Sequence, residues 1–477
     1  MESTTALPGG FRDRAVRLVG AGLVRPSALL LFAAAALIGA AAILLRLPLF
    51  PFVSGDYAAY VGRWYSFMAG HGGFLALRYD FANYNAPYLY LVAAITYLPL
   101  PPIDAIKLIS VSFDYLLAFS VYRIVSLRHQ NRWLPLLAGG LVLLLPTVVV
   151  NSSMWGQADS IYAALGLAGL DQALRRRSWA ACLLFGLAFA FKLQIVFAFP
   201  VLLLLVLGRR IRWPWLLLIP AAYVLTDLPA VLLGASPRDL LAVYLTQTGT
   251  YQELTLNAPN LYQFLGGLPD TEAVLVAATA VTGVVVLALI AAALWSRAEL
   301  TTTRIVLAMA VSVVLVPYLL PAMHERYFYL ADAMCVIAAF YVPRWLFFLP
   351  PLEQFASALS YVPFLSMSMG GAGGSRNFGP GSGSRSPGGG RPGGGSGFAP
   401  GHGGRGFPGH TPSGGGRPHH ALAAGSAVSG TSWVSFELLA LAMLAVLVGL
   451  LWVTVWEFRR GAPRVTPPER AEAATSG

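Results

Sequence analysis

Long runs of Leu, Val, Ala and Phe, interrupted at short intervals by arginine-rich turns, set the pattern of this chain. A bilayer core of about 30 Å takes roughly 20 apolar residues per helix. Helices satisfy their own backbone hydrogen bonds there, so the pattern predicts helix throughout. It gives an all-α polytopic membrane protein with about twelve transmembrane helices. The first runs from about 28 to 45, and the next from 104–126, 134–150, 159–173, 179–191, 194–208 and 214–232. The last five are 273–295, 303–321, 327–342, 345–365 and 433–456. The first has no small-residue cleavage site after it and reads as a retained helix. The apolar stretch 87–100 is short and ends at Leu100-Pro101-Pro102. Counted as a crossing, it would place Arg128, His129 and Arg132 outside. Counted as a re-entrant or juxtamembrane helix, it leaves every basic turn on one side, and loop charge favours that choice.

Composition supports the class: 57% of residues are apolar and 11% charged, with mean hydropathy +0.66. A soluble domain carries about 25% charged residues. The net charge of +11 raises the possibility of a nucleic-acid partner, but the 30 Arg and 2 Lys gather mostly in turns between apolar runs. That is the positive-inside pattern. It argues against nucleic acid and places both termini in the cytoplasm, the N-terminus through Arg12, Arg14, Arg17 and Arg25. The Arg-, Ala-, Gly- and Pro-rich usage fits a GC-rich bacterium, hence the bacterial cytoplasmic membrane. Cys182 and Cys335 fall inside apolar runs and read as core residues. Residues 1–365 form one transmembrane module, 366–432 a Gly/Ser/Pro-rich external segment, and 433–477 a last helix with a cytoplasmic tail. The external segment has too few aliphatic residues to order itself. Its His402, His410, His419 and His420 read as part of a solvated spacer rather than a metal site.

Four polar clusters interrupt the apolar pattern, and all emerge on the expected outer face. The first contains Asp56, where the first helix leaves the bilayer. A carboxylate there suits a base that must meet an aqueous acceptor beside lipid; it also suits a cap for a helix over Tyr57–Ala69. The Tyr57, Tyr60, Trp64 and Tyr65 aromatics fit a helix lying along the membrane surface. Arg78, Tyr84 and Asn85 follow, and Arg78 either meets a phosphate or pairs with Asp80. The second cluster, Asn151 to Ser160, offers Trp155 for a sugar face or isoprene unit, and Gln157 and Asp159 for sugar hydroxyls. Its ordinary alternative is a turn capped by Asp159 and Ser160. The third is Lys192-Leu193-Gln194, an ammonium for a lipid phosphate or a snorkelling lysine. The fourth is His324-Glu325-Arg326, where His324 and Arg326 could contact phosphate with Glu325 orienting one of them, or form a cap with a rim salt bridge. Phe328 and Tyr329 exclude the zinc pattern HExxH.

These motifs resemble the polytopic GT-C glycosyltransferases that use lipid-phosphate sugars, and more narrowly the bacterial proteins similar to GPI-anchor mannosyltransferases. The resemblance rests on Gly55-Asp56-Tyr57, Tyr84 to Tyr90, Met154 to Ser160, Phe191 to Gln194 and His324 to Tyr327, in family order between about 28 and 365. It implies a GT-C-like first external loop, with a polyprenyl-phosphate-mannose or -glucose donor taken from the membrane lipids. The acceptor would be an external glycan, lipid or protein. Asp56 would be the general base of an inverting hexosyl transfer, Asp159 a second external acidic position, and His324-Glu325 a motif near the donor phosphate. It implies no required cofactor, with a divalent metal near Asp159 left open. Ala86-Pro87 stands where the family has paired prolines, and the Gly-rich segment has no family counterpart.

The expectation is therefore an integral membrane glycosyltransferase. The alternative is a transporter or lipid flippase without glycosyl transfer, for which Asp114, Asp171 and Asp227 would be mid-membrane charges. A non-catalytic scaffold for envelope assembly is a third reading.

Overall fold

A computed structural model describes residues 27–248, 253–366 and 435–460. The expectations for Arg12 to Arg25, for the Gly-rich segment beyond its first residue with its four histidines, and for the C-terminal tail lie outside the described residues. Those described are helical almost throughout. Their only strands are Thr255–Leu256 and Met323–His324, paired in parallel with Leu256 opposite His324.

Six of these helices are long and apolar enough to cross a bilayer: Ala28–Leu49, Pro102–Val125, Trp213–Leu232, Glu272–Trp295, Thr302–Leu319 and Phe436–Arg460. A seventh arises if Trp133–Leu144 and Pro146–Trp155, bent by 51°, count as one span. By length and composition the described residues therefore confirm six or seven crossings, and not the count of about twelve. Several expected spans are short helices: Asp159–Leu174 has 16 residues, Ser178–Phe191 has 14 and Tyr329–Tyr341 has 13. At 1.5 Å per residue these reach only about 20–24 Å. Their sides are covered by protein, so irregular backbone can complete the path where an isolated helix in lipid could not. Residues 194–208 become a 3-10 turn, Leu193–Ala198, leading into Phe199–Leu207. Residues 345–365 include the separate helices Pro343–Leu346 and Leu349–Ser360. Ala86–Ile95 has ten residues, about 15 Å, half the bilayer core.

Local chemistry explains the boundaries. Ser27, Thr271 and Thr301 accept the backbone N–H of Leu30, Val274 and Arg304 and start their helices. Pro146 removes a donor and breaks the run after Leu144. Close packing needs glycine at one helix crossing: a Cβ on Gly139 would stand 2.8 Å from the Ala118 carbonyl oxygen.

The main core joins Pro102–Val125, Asp159–Leu174, Ser178–Phe191, Thr302–Leu319, Tyr329–Tyr341 and Phe436–Arg460. A second, smaller core folds the first loop down: Trp64, Tyr65 and Met68 pack with Tyr88, Leu89 and Val92. The expected Tyr57–Ala69 helix is a wide π turn, Tyr57–Val61, followed by Gly62–Gly70. It is anchored by this core, not merely laid on a surface.

Candidate active site

Asp56 sits at the start of that π turn. Its side chain does not cap the turn; the Ser54 hydroxyl does, accepting the Tyr57 N–H at 3.2 Å. Ser54 also donates to the Trp155 carbonyl at 2.7 Å, joining the first loop to the second cluster. Lys107 supports the same loop from below, donating to the carbonyls of Leu49, Phe50 and Phe52 at 3.1, 2.8 and 2.6 Å.

Three donors converge on one oxygen of Asp56. The Trp155 indole N–H reaches Oδ2 at 3.0 Å, the Gln157 amide donates to the same oxygen, and an Arg326 nitrogen lies 3.4 Å away. Among the described residues Oδ1 receives none, and the carboxylate keeps 22% of its exposure. The carboxylate is therefore oriented through one oxygen and open at the other.

The turn that supplies Trp155 and Gln157 depends on Gly156, whose φ of +77° is left-handed and unfavourable for other residues. Gln157 N–H closes it by donating to the Asn151 carbonyl at 3.0 Å. Trp155 itself is buried. Phe364 stacks on its indole at 4.5 Å, Tyr361 meets it edge-on at 5.2 Å, and the Arg326 guanidinium lies 5.3 Å from its centre. The indole expected to stack on a sugar or isoprene is thus already covered, and it positions Asp56 and Arg326 instead.

Asp159 and Lys192 form the next layer inward. They are ion-paired, and Asn151 donates to the other Asp159 oxygen at 2.9 Å. Both are buried. Asp159 is neither a helix cap nor open to sugar hydroxyls, and Lys192 does not snorkel. Burial lowers the Lys192 ammonium and Asp159 opposes that shift. Ser160 donates to the Ser110 carbonyl rather than capping the helix.

The fourth cluster closes the site. Glu325 is buried, 3.7 Å from Arg326 and 3.9 Å from His324. Burial raises Glu325 to about 7, with Arg326 opposing the shift. His324 is held well below the ordinary imidazole value by burial and by the cations Arg326 and Lys192. Burial acts against the Arg326 charge, but Asp56, Glu325 and Asp159 outweigh it and keep the guanidinium charged. The strand at Met323–His324 is fixed by its pairing with Thr255–Leu256, a strap that the hydrophobic pattern gave no reason to expect.

The remaining expected residues lie around this centre or away from it. Tyr84 packs on Trp64 and Tyr88 and is raised well above the usual phenol range, first by burial and then by Asp159. Asn85 is buried and donates to the Ala190 carbonyl at 2.9 Å, which ties the loop to the end of Ser178–Phe191. Gln194 follows Lys192 and its buried carbonyl oxygen has no protein donor among the described residues. Arg78 is exposed over the Tyr79 ring, forms no ion pair with Asp80 among the described residues, and does not join the cluster. Ser54, Asn151 and Lys107 are supporting residues. Ser54 and Asn151 belong to the polar clusters but had no role of their own in the sequence, and Lys107 was passed over although it is one of two lysines in the chain and the one inside a long apolar helix.

Among the described residues, one cleft of about 620 Å³ is an aliphatic groove bounded by Leu204, Val286, Leu289, Leu315 and Val455, away from the Asp56 cluster. Another, about 340 Å³, is lined by Pro146, Val150, Met154, Ala358, Tyr361 and Leu365, beside the Trp155 wall. Chemistry, not volume, marks the site. Among the described residues no three His, Cys, Asp or Glu side chains gather as a metal-holding group. No protein-family model matches this chain, and comparison with curated proteins finds no match.

Proposed function

We propose that this protein is an integral membrane glycosyltransferase that moves a hexose, mannose or glucose, from a polyprenyl-phosphate carrier to an external acceptor with inversion. The observation that supports this most is the single oriented carboxylate. Asp56 is held through Oδ2 by Trp155, Gln157 and Arg326, and Oδ1 stays available to an acceptor hydroxyl.

In the proposed step, Asp56 takes the acceptor proton as the acceptor oxygen bonds to the anomeric carbon. The bond from that carbon to the phosphate oxygen breaks, and its electron pair leaves on the phosphate. Arg326 shifts from Asp56 toward that phosphate, where its planar donor fork fits the developing charge. Lys192 and Asp159 stay paired beneath and fix the position of the cluster. His324, kept neutral by its surroundings, donates one hydrogen bond to the phosphate. The cleft beside Tyr361 and Met154 has the apolar lining an isoprenoid needs. Polyprenyl phosphate and the inverted glycoside are the products, and the Asp56 proton returns to water.

The test is incubation of the purified protein with a panel of polyprenyl-phosphate hexoses, with mass analysis of lipids and glycans. Asp56→Asn should lower transfer by roughly 10²–10⁴-fold, the usual worth of a positioned base, without loss of folded protein. Wild-type turnover in that variant removes Asp56 from the mechanism. Solute counter-flow in proteoliposomes without any glycosyl product favours the transporter reading.

A further inference from the structure

The aliphatic groove plays no part in the transfer chemistry and shares no residue with the Asp56 cluster. Glu272–Trp295 and Phe436–Arg460 both pack against Thr302–Leu319, and with Phe199–Leu207 these helices enclose its 620 Å³. Ala308, Val311 and Leu315 line it at i, i+3 and i+7, one face of Thr302–Leu319. Leu451, Val455 and Phe458 do the same at i, i+4 and i+7 on the last helix. Glu272–Trp295 lines it from Val286 to Ser296, ten residues or about 15 Å along a helix. That is half the thickness of a bilayer core, the depth of one leaflet. Protein covers only 11% of the apolar window of Glu272–Trp295, so this wall stands largely in lipid.

One end of the groove is different. There the lining is Trp295, Ser296 and Arg459. The ends of three helices meet at Arg304, which donates to the Glu457 carbonyl at 3.1 and 2.9 Å and to the Glu299 carbonyl. Its guanidinium lies 5.7 Å from the centre of the Phe458 ring. Tryptophans crowd this level: Trp295 is 88% exposed, and Trp345 meets Trp452 and Trp456 at 5.2 and 6.2 Å. Such residues gather where the acyl chains give way to headgroups. The Arg459 end is thus at headgroup depth, and the aliphatic walls run inward from it.

Charge at this end selects the occupant. Arg459 and Arg460 are exposed, and neither is ion-paired among the described residues. Arg460 lies over the Trp456 ring, 3.7 Å from its centre. Arg297 follows Ser296 and is exposed as well; with Arg304, these arginines outnumber Glu299 and Glu457. Lipid chains are as apolar as leucine, so the walls accept an acyl chain without preferring one lipid to another. The arginines do prefer, at about fivefold in affinity each for an anionic headgroup. We propose that this groove binds an anionic phospholipid, with an acyl chain along the aliphatic walls and the phosphate at Ser296, Arg459 and Arg460. The lipid ties Glu272–Trp295 to the last helix. It is distinct from the polyprenyl-phosphate donor, and its binding does not depend on the transfer reaction.

The experiment uses the full-length protein in detergent, delipidated and then offered phosphatidylglycerol or phosphatidylcholine with the same acyl chains. Bound lipid is counted by native mass spectrometry, with the melting temperature followed in parallel. Wild type should prefer phosphatidylglycerol by roughly 25-fold, the product of two arginines, and melt at higher temperature with it. Arg459→Gln should lower that preference about fivefold, and the Arg459→Gln, Arg460→Gln double variant should abolish it. Arg132→Gln, an exposed arginine outside the groove, should leave it unchanged. Val455 is 43% exposed and lines the groove, so Val455→Trp narrows it at little risk to folding and should reduce retention of both lipids. Failure of wild type to retain lipid overturns the proposal, as does equal retention of the two lipids. So does a preference that survives the double arginine variant, or one that falls as far in Arg132→Gln. Retention unchanged in Val455→Trp also overturns it, in favour of headgroups gathered on the surface alone.

Discussion

Lys192 and Asp159 are each other's counter-charge in a place water does not reach. Replacing Lys192 with Ala leaves the Asp159 carboxylate buried with only Asn151 to hold it, and losing one partner of such a pair costs about 3–5 kcal/mol. Thermal unfolding in detergent should register that loss, whereas a snorkelling lysine would cost almost nothing on removal. Glu325 makes a different demand. Burial raises it to about 7, against about 4.3 for an unfolded chain. Between those values the folded state keeps a proton that the unfolded state has released, so stability falls as pH rises. Its contribution is complete below about pH 4.3 and gone above about 7, amounting to roughly 3–4 kcal/mol at most. Glu325→Gln should flatten the unfolding profile across that window; a slope unchanged in the variant assigns it to another group.

Elements, more than single residues, hold Asp56 in place. The segment after the first helix is a single 3-10 turn with few backbone hydrogen bonds of its own, and Lys107 donates to three of its carbonyls. Charge-assisted hydrogen bonds are about twice as strong as neutral ones. Lys107→Met keeps the volume and removes all three, so the loop should loosen at its base. In the proposed transfer, a displacement of about 1 Å at the Asp56 carboxylate costs on the order of 10²-fold in rate, and transfer should fall by that much with the donor KM little changed. A large rise in KM would place Lys107 in donor binding instead.

The polar breaks in the apolar pattern located Asp56, Trp155, Gln157, Asp159, Lys192 and Arg326 because a polar residue at a helix mouth is costly in lipid and conspicuous in sequence. Which of them lie open was not legible in the same way. Trp155 and Asp159 had the chemistry to meet a sugar, but whether a ring face is open or covered depends on Phe364 and Tyr361, some two hundred residues further along. The number of crossings was not settled by hydropathy for a related reason. Hydropathy measures fitness for lipid, and short helices such as Tyr329–Tyr341 are enclosed by protein.

Across the whole molecule, the Pro102–Val125 helix gives a ruler. Lys107 and Ser110 meet the Asp56 and Gln157 segments near its start. Asp114, at its middle, pairs with Arg46 at 2.8 Å and accepts from Ser152. Near its end Arg123 pairs with Asp171, which also binds Arg175. From Lys107 to Arg123 is sixteen residues, about 24 Å along a helix, close to the thickness of a bilayer core. The Asp56 cluster and the arginine turns therefore occupy opposite ends, and the positive-inside expectation is that the arginine end faces the cytoplasm. Two exposed positions test this: Asn83 in the first loop and Gln130 in the Arg128–Arg132 turn. Cys182 and Cys335 are buried and should contribute little background. In intact cells, Asn83→Cys should react with a membrane-impermeant maleimide, and Gln130→Cys only after permeabilisation. The reverse pattern would turn the Asp56 carboxylate toward the cytoplasm. An acceptor built outside the cell could then no longer be its substrate, even if the arrangement of Asp56, Trp155 and Arg326 stood unchanged.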